Sequence, residues 1–452
     1  MNIIIIGCGK VGITLAEFLS AENHDVVLVD ESSQKLARIP EDLDALRICG
    51  NGASINTQLE AGIADADILI AVTGSDELNL LCCLIAKKAS SCHTIARVRN
   101  PIYNKELDFI KVKLGISMII NPELTAATEI SRLLRFPSAI KIDTFAKGRV
   151  ELLKFRIRPE FKLHEQPINQ VSSLIDHNIL IAAVERGSMI AIPDGNFILR
   201  DNDLLSIIAS PKDAAAFFKH IGLQTHQVKN AMIVGGGKIG YYTAHLLQEM
   251  NIDVRIVESD RDRCEQLSLL LPDATIICGD GTDKQLLLEE GLVEAQAFVT
   301  LTNLDEENIL LSLFAQANSR AKLVTKVTKI AFTEIINNLD IGSVIYPKQL
   351  TADYILQYVR AMSNSIGSNV ETLYQILDNR AEALEFAVRE RSEVTDIPLS
   401  QLPLKSDLLI CCINRNSRIR IPRGQDSIQV GDTVIIVTTR KGLGDISDIL
   451  RK

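Results

Sequence analysis

Two hydrophobic rhythms alternate along the chain. The first is a short, β-branched apolar run, as at residues 3–6 or 68–72, followed by a longer stretch with apolar positions at helical spacing. Leu59 and Ile63 have that spacing, as do Leu80, Leu81, Leu84 and Ile85. Strands alternating with helices predict right-handed βαβ crossovers and a parallel sheet covered on both faces. The second rhythm has period two. Residues 152–157, 179–184 and 204–208 alternate between turns at Pro193-Asp194-Gly195 and Asp201-Asn202-Asp203, which predicts a small β-rich domain with some helix.

Both rhythms occur twice. Residues 3–12 read IIIIGCGKVG and residues 231–240 read AMIVGGGKIG, so Gly7, Gly9 and Gly12 return as Gly235, Gly237 and Gly240. Residues 26–30 (VVLVD) return as 254–258 (VRIVE), Gly50-Asn51-Gly52 as Gly279-Asp280-Gly281, and Asp76, Glu77 and Asn79 as Asp305, Glu306 and Asn308. Asn121-Pro122-Glu123-Leu124-Thr125-Ala126 resembles Tyr346-Pro347-Lys348-Gln349-Leu350-Thr351-Ala352 with one residue inserted. In the β-rich parts Pro193-Asp194-Gly195 answers Pro422-Arg423-Gly424, and Asp203 answers Asp432. The expected fold is α/β: two Rossmann-like, doubly wound parallel-sheet domains (1–137 and 229–362), each followed by a small α+β, β-rich domain (138–225 and 370–452), in tandem repeat.

A Gly-x-Gly-x-x-Gly that ends a strand and opens a helix lets the chain turn at Gly7, approach a pyrophosphate at Gly9 and pack helix on strand at Gly12. Cys8, Lys10 and Val11 fill the first loop; Gly236, Lys238 and Ile239 fill the second. The amides opening such a helix face an anion. Asp30 and Glu258 end the second strand of each copy, where an acid accepts hydrogen bonds from ribose hydroxyls. A carboxylate at Asp30, followed by Glu31, Ser32 and Ser33 with no Arg, favours NAD over NADP; Arg261 weakens that preference in the second copy. ATP and ADP share the adenosine and diphosphate portion and fit the same signature.

Open α/β sheets bind ligands at the carboxyl ends of their strands. Those ends are Asn51-Gly52, Val72-Thr73-Gly74 and Ala96-Arg97 in the first copy, and Asp280-Gly281, Leu301-Thr302-Asn303 and Thr325-Lys326 in the second. Arg97 and Lys326 could each reach a phosphate or stand as a surface charge. Thr73 with Asp76, and Thr302 with Asp305, have the spacing of a helix N-terminal box, so capping is expected of them. The loops lack the Gly-Lys-Ser/Thr ending of a phosphate-hydrolysing P-loop. Asn121-Pro122 reads as an N-cap and first-turn proline, opening a helix whose Leu124, Ile130, Leu133 and Leu134 form one stripe. That stripe packs either within its own domain or across to a partner subunit.

Composition narrows the function. The chain has 452 residues, 46% of them hydrophobic, enough apolar surface to exclude disorder. With 48 Lys+Arg against 57 Asp+Glu, 4% aromatics and no Trp, neither a phosphate backbone nor stacked bases find a complementary surface, so no nucleic-acid partner is expected. The N-terminal apolar run, broken at once by glycines, reads as a strand entering a turn and not as a signal peptide. Other apolar runs fall well short of the roughly 20 residues that cross a bilayer. Nine cysteines with no Cys-x-x-Cys pair read as buried small apolar side chains, and no metal site is expected. A dehydrogenase would need an acid or base beside the nicotinamide. No nucleophile elbow, carboxylate pair or repeat-matched histidine offers one, so binding without catalysis is expected, with an NAD-dependent oxidoreductase as the alternative.

The whole chain resembles the TrkA-type regulatory subunits of bacterial Trk potassium uptake systems, in which an RCK N-terminal and an RCK C-terminal domain occur twice. The resemblance rests on residues 7–12 with Asp30, residues 235–240 with Glu258, the two Asp-Glu-x-Asn segments and the two Pro-x-Gly β-rich domains. It implies binding of NAD(H) or adenine nucleotides in the N domains. It also implies assembly as a homo-oligomer on the cytoplasmic face of a separate, potassium-translocating membrane protein whose opening it regulates. Asn51 departs from the pattern, since many such nucleotide domains carry an acid there, as at Asp280.

Overall fold

The computed structural model describes residues 1–451 except 146–148, 160, 162, 175–178, 188, 223–226, 329–335, 337, 338, 340, 365–369, 378, 379, 417, 441 and 442. The first parallel sheet comprises β1 (Asn2–Ile6), β2 (Asp25–Asp30), β3 (Leu46–Cys49), β4 (Ile68–Ala71), β5 (His93–Arg97) and β6 (Met118–Ile120), in the order β3-β2-β1-β4-β5-β6. This is the doubly wound order, and the direction of winding reverses between β1 and β4. β1 and β4 are buried along almost their whole length, as strands covered by helices on both faces must be.

Next comes an antiparallel sheet of β7 (Lys141–Phe145), β8 (Val150–Arg156), β9 (Ile179–Arg186), β10 (Met189–Ala191) and β11 (Leu204–Ala209), ordered β7-β8-β11-β9-β10. The second half repeats both sheets. β12 (Asn230–Val234), β13 (Asp253–Glu258), β14 (Thr275–Cys278), β15 (Ala297–Thr300), β16 (Lys322–Lys326) and β17 (Ser343–Ile345) form a parallel sheet of the same order as the first. β18 (Val370–Ile376), β19 (Ala381–Ala387), β20 (Leu408–Arg415), β21 (Arg418–Arg420) and β22 (Thr433–Thr438) repeat the antiparallel one.

Two linker helices join the halves to each other. The first, Pro122–Arg135, starts as its sequence predicts: the Asn121 side chain accepts from the Leu124 amide at 3.0 Å, and Pro122 follows. Its stripe does not lie within its own domain alone. Ala126, Ile130, Leu133 and Leu134 share a core with Ala244 and Leu247 of the second glycine-loop helix, Lys238–Glu249, while Leu124 is only half-buried. The second linker helix, Pro347–Asn364, crosses back: Ala352, Ile355, Leu356 and Val359 pack on Leu15, Ala16 and Leu19 of the first glycine-loop helix, Lys10–Ala21. Each fully buried Leu or Ile contributes about 1.5–3 kcal/mol, so these seams hold the halves firmly.

The antiparallel sheets also meet. Phe145, Leu152, Ala183 and Ile208 share a core with Ile376, Ala383, Cys411 and Val437, and buried Glu185 pairs with Lys154 at 2.6 Å and with Arg380 of the other half at 2.7 Å.

Two expectations need correction. Leu59 is exposed and Ile63 lies beyond the end of the helix Ile55–Glu60, so their helical spacing does not mark one buried face. Seven cysteines are buried, but Cys49 and Cys278, at the ends of β3 and β14, are exposed. Burial pushes the Cys8 and Cys82 thiols up to about 12, which leaves them protonated and inert.

Candidate functional site

The three glycines of each loop do different physical work. Gly7 has φ +107°, and a Cβ there would fall 2.9 Å from the Thr73 amide nitrogen at the end of β4; Gly235, at φ +106°, meets Leu301 in the same way. Only glycine tolerates both that backbone and that approach. A Cβ on Gly12 would collide with the Gly7 carbonyl, and one on Gly240 with the Gly235 carbonyl, so these positions let the helix close on the strand. Gly9 and Gly237 meet nothing within 4 Å. Their faces are open, as close approach of a pyrophosphate requires.

The acids hold these loops in shape. Asp30 accepts from the Cys8 amide at 2.8 Å and the Ser32 amide at 2.9 Å, and Glu258 accepts from the Gly236 amide at 2.7 Å and the Asp260 amide at 3.0 Å. A carboxylate has about four acceptor directions. Lys35 Nζ also donates to both Asp30 oxygens at 3.3 Å, so those directions are taken up by the protein and a ribose hydroxyl would displace Lys35; the first task of Asp30 is the loop. Lys35 thus sets a cation beside Asp30 where the absence of a neighbouring Arg suggests none. Its place five residues on, in the helix Ser33–Ala37, was the available signal. It weakens the argument from charge for NAD over NADP. In the second copy Arg261 turns away to Glu265 at 3.6 Å, and Arg263 instead donates to the Gly236 carbonyl at 2.8 Å.

Asn51 and Asp280 make the same turn. Asn51 accepts from the Ala53 amide at 2.8 Å and Asp280 from the Thr282 amide at 2.8 Å, so their difference is one of charge and not of backbone. Backbone and hydroxyl donation from Thr282 lowers the pKa of Asp280. Gly52 and Gly281 are explained by packing, because a Cβ on either would strike Ile6 or Val234.

The expected Thr-x-x-Asp caps are not formed. Ser75, not Thr73, caps the helix Asp76–Ala89, and the helix Asp305–Asn318 has no side-chain cap. Asp76 instead accepts from the amides of Arg99 and Asn100 at 2.9 and 2.8 Å, and Asp305 from the Thr328 amide at 2.9 Å. Fully buried Asn79 accepts from the Thr73 amide at 2.8 Å and donates to the Arg97 carbonyl at 2.9 Å, pinning the ends of β4 and β5; Asn308 does the same with Thr302 and Lys326. The repeated Asp-Glu-x-Asn segment is thus a brace for the strand ends. Arg97 donates to the Thr73 carbonyl and Lys326 to the Leu301 carbonyl, the latter at 3.1 Å, and desolvation lowers the pKa of both cations. Neither stands as a free surface charge.

A cavity of about 840 Å³ runs between the halves. That volume suits a small-molecule ligand. From the first half it is lined by Gly7, Gly9, Lys10, Val11, Asp30, Asn51, Gly52, Val72, Thr73, Gly74 and Arg97, and from the second by Gly237, Lys238, Ile239, Leu301, Asn303 and Lys326. Cys8, Gly12 and Ala96 are buried behind this lining, and Gly235, Gly236, Gly240, Glu258, Asp280, Gly281 and Thr302 are also outside it. The cavity therefore takes in the first copy's glycine loop and acid but only the loop face of the second. Lys35, Glu123 and Lys348 line it too, and sequence reasoning did not assign them to it.

The TrkA-N domain model matches residues 3–122 and 231–347, and the TrkA-C domain model matches residues 152–222 and 383–451. The chain is 32% identical to the Trk system potassium uptake protein TrkA homolog 1 of Methanosarcina mazei, over 99% of each chain, and 32% identical to the TrkA homolog of Archaeoglobus fulgidus over the full length of both. It is 29% identical to the TrkA protein of Haemophilus influenzae over 100% of this chain and 99% of that one. Among solved structures it is similar in fold to the GsuK channel bound to NAD, with TM-score 0.64 and 18% identity, covering 97% of this chain and 76% of that one. It is similar also to the GsuK RCK domain, with TM-score 0.63 and 18% identity, covering 96% and 92%.

Proposed function

We propose a function from one premise, that the chain belongs to the TrkA family of Trk system potassium uptake proteins. It is a nucleotide-binding regulatory subunit that associates with a separate potassium-translocating membrane protein and controls potassium uptake. The observation carrying this reading is the cavity between the halves, because residues of both glycine loops and of both linker helices line it. Binding can bias an arrangement of domains only when it favours one arrangement over another. A site shared by two halves meets that requirement.

The ligand is NAD(H) or an adenine nucleotide. The open faces at Gly9 and Gly237 fit the pyrophosphate, the helix amides after them fit its charge, and Asp30 with Asn51 lies where the adenosine ribose would sit. GsuK, of the same fold, has been solved with NAD bound. The polar side chains at the strand ends, Asp76, Asn79, Asp305 and Asn308, are engaged in bracing backbone, which supports a binding site and not a catalytic one. Among the described residues no helix is long and apolar enough to cross a membrane, so an effect on ion flux acts through a partner. We divide the chain into N domains at 1–137 and 229–362 and C domains at 138–225 and 370–452. We read it as a homo-oligomer peripheral to the cytoplasmic membrane face.

Potassium flux through a reconstituted Trk-type transporter, measured with and without this protein while titrating NADH, ATP and ADP, tests the reading. Nucleotide-dependent flux is the expected result. Flux indifferent to the protein, or a protein that binds none of the three, overturns it.

A further inference from the structure

The repeat allows the two loops to be compared residue by residue. Each linker helix opens with a proline at the end of its own parallel sheet, and the residue after that proline lines the shared cavity. In the first half this residue is Glu123; in the second it is Lys348. The crossing of the linker helices puts each against the glycine loop of the opposite half. Glu123 lines the cavity with Lys238, the first residue of the second glycine-loop helix, and is in its field; Lys348 lines it with Lys10, the first residue of the first, and is in the field of Lys10.

The charge around the two loops therefore differs. Beside Lys238, the cations Arg97 and Arg99 are met by the acids Asp76 and Glu123, with Arg99 at 3.7 Å from Asp76 and 4.0 Å from Glu123. Beside Lys10, the cations Lys326 and Lys348 are met by Asp305 alone among the charges acting on Lys348. Lys348 donates to the Thr328 carbonyl at 2.9 Å, and Thr328 stands where the first half has Arg99. Burial lowers the pKa of Lys348, and repulsion from the Lys10 ammonium lowers it further. An anion between them turns that repulsion into two charge-assisted contacts. The pyrophosphate of a dinucleotide is esterified at both ends, whereas a nucleoside di- or triphosphate ends in a free phosphate with additional charge.

We propose that the two glycine loops are not equivalent: the Gly7–Gly12 loop takes a nucleoside di- or triphosphate whose terminal phosphate lies between Lys10 and Lys348. Glu123 keeps such a phosphate away from the Gly235–Gly240 loop. Lys348 is then a binding residue for the nucleotide of the other half, and the terminal phosphate is what ties the second linker helix to the first loop. This inference rests on the nucleotide-binding reading and narrows it.

Calorimetric titration of the full chain with ATP, ADP and NADH tests it, using Lys348→Glu, Lys348→Gln, Glu123→Lys, Gly9→Val and Gly237→Val. Lys348→Glu and Lys348→Gln are expected to weaken ATP about tenfold or more while changing NADH by no more than about twofold. Gly9→Val is expected to remove the ATP event, and Glu123→Lys to add a second ATP event that Gly237→Val abolishes. The Gln variant, with the same length and no charge, guards against a folding defect in the Glu variant. ATP affinity unchanged in both Lys348 variants, or ATP and NADH weakened equally, overturns the inference while leaving nucleotide binding in place. Failure of all three nucleotides to bind the unsubstituted chain overturns the broader reading as well.

Discussion

Glu22 and Arg360 stand 338 positions apart in the chain and form a two-pronged ion pair, with the Arg360 Nε 3.1 and 3.2 Å from the two carboxylate oxygens. One ends the first glycine-loop helix and the other lies on the second linker helix, so the pair ties the ligand loop of one half to the helix leaving the other. Both side chains are largely buried. A double-mutant cycle of Glu22→Ala and Arg360→Ala, followed by chemical denaturation, should give a coupling of about 1.5–3 kcal/mol. A coupling near zero would mean that the apolar seam alone holds the halves.

Gly9 and Gly12 separate ligand contact from folding. A side chain at Gly9 enters open space with ordinary backbone, whereas one at Gly12 strikes the Gly7 carbonyl. Gly9→Val should keep the thermal midpoint and lose nucleotide affinity by about tenfold or more. Gly12→Val should lose about 1–3 kcal/mol of stability, or more, before any ligand is added. Parallel measurement of circular dichroism melting and binding checks both.

The Asn79 brace predicts a loss of stability with a local signature. Asn79→Ala leaves the half-buried Thr73 amide and Arg97 carbonyl without this partner and should cost about 1–3 kcal/mol per orphaned group. Hydrogen exchange should quicken first at the ends of β4 and β5. Exchange that accelerates evenly through the first half would count against a local brace.

Glu129, on the first linker helix, gives stability a pH dependence. Burial and the charge of Asp143 push its pKa up to about 7, against the opposing pull of Arg132 and Lys141. A carboxyl raised from 4.5 binds its proton more tightly folded than unfolded, so stability falls as pH rises from about 4.5 to 7 and then levels. Glu129→Gln should remove that slope and be the more stable form at pH 8. Denaturation midpoints of the two proteins across pH 5–8 test the sign, and parallel curves would refute it.

The sequence by itself determined everything that local chemistry encodes. Apolar runs of strand length, helical spacing between them, glycines at Gly7 and Gly12 where sterics allow nothing else, and the proline-opened helix at Asn121-Pro122 were all legible, because each depends on residues within a few positions. The repeat then doubled every signal. The same locality explains the errors: the Thr-x-x-Asp spacing is a valid local pattern, yet Asp76 is drawn to the Arg99 and Asn100 amides, 23 and 24 residues away. Only the tertiary structure decided that the linker helices cross between the halves, that one cavity joins the two glycine loops, and that Glu123 and Lys348 end up facing opposite loops. Those relationships join residues more than 100 positions apart, and no periodicity or turn preference along the chain records which buried faces will meet.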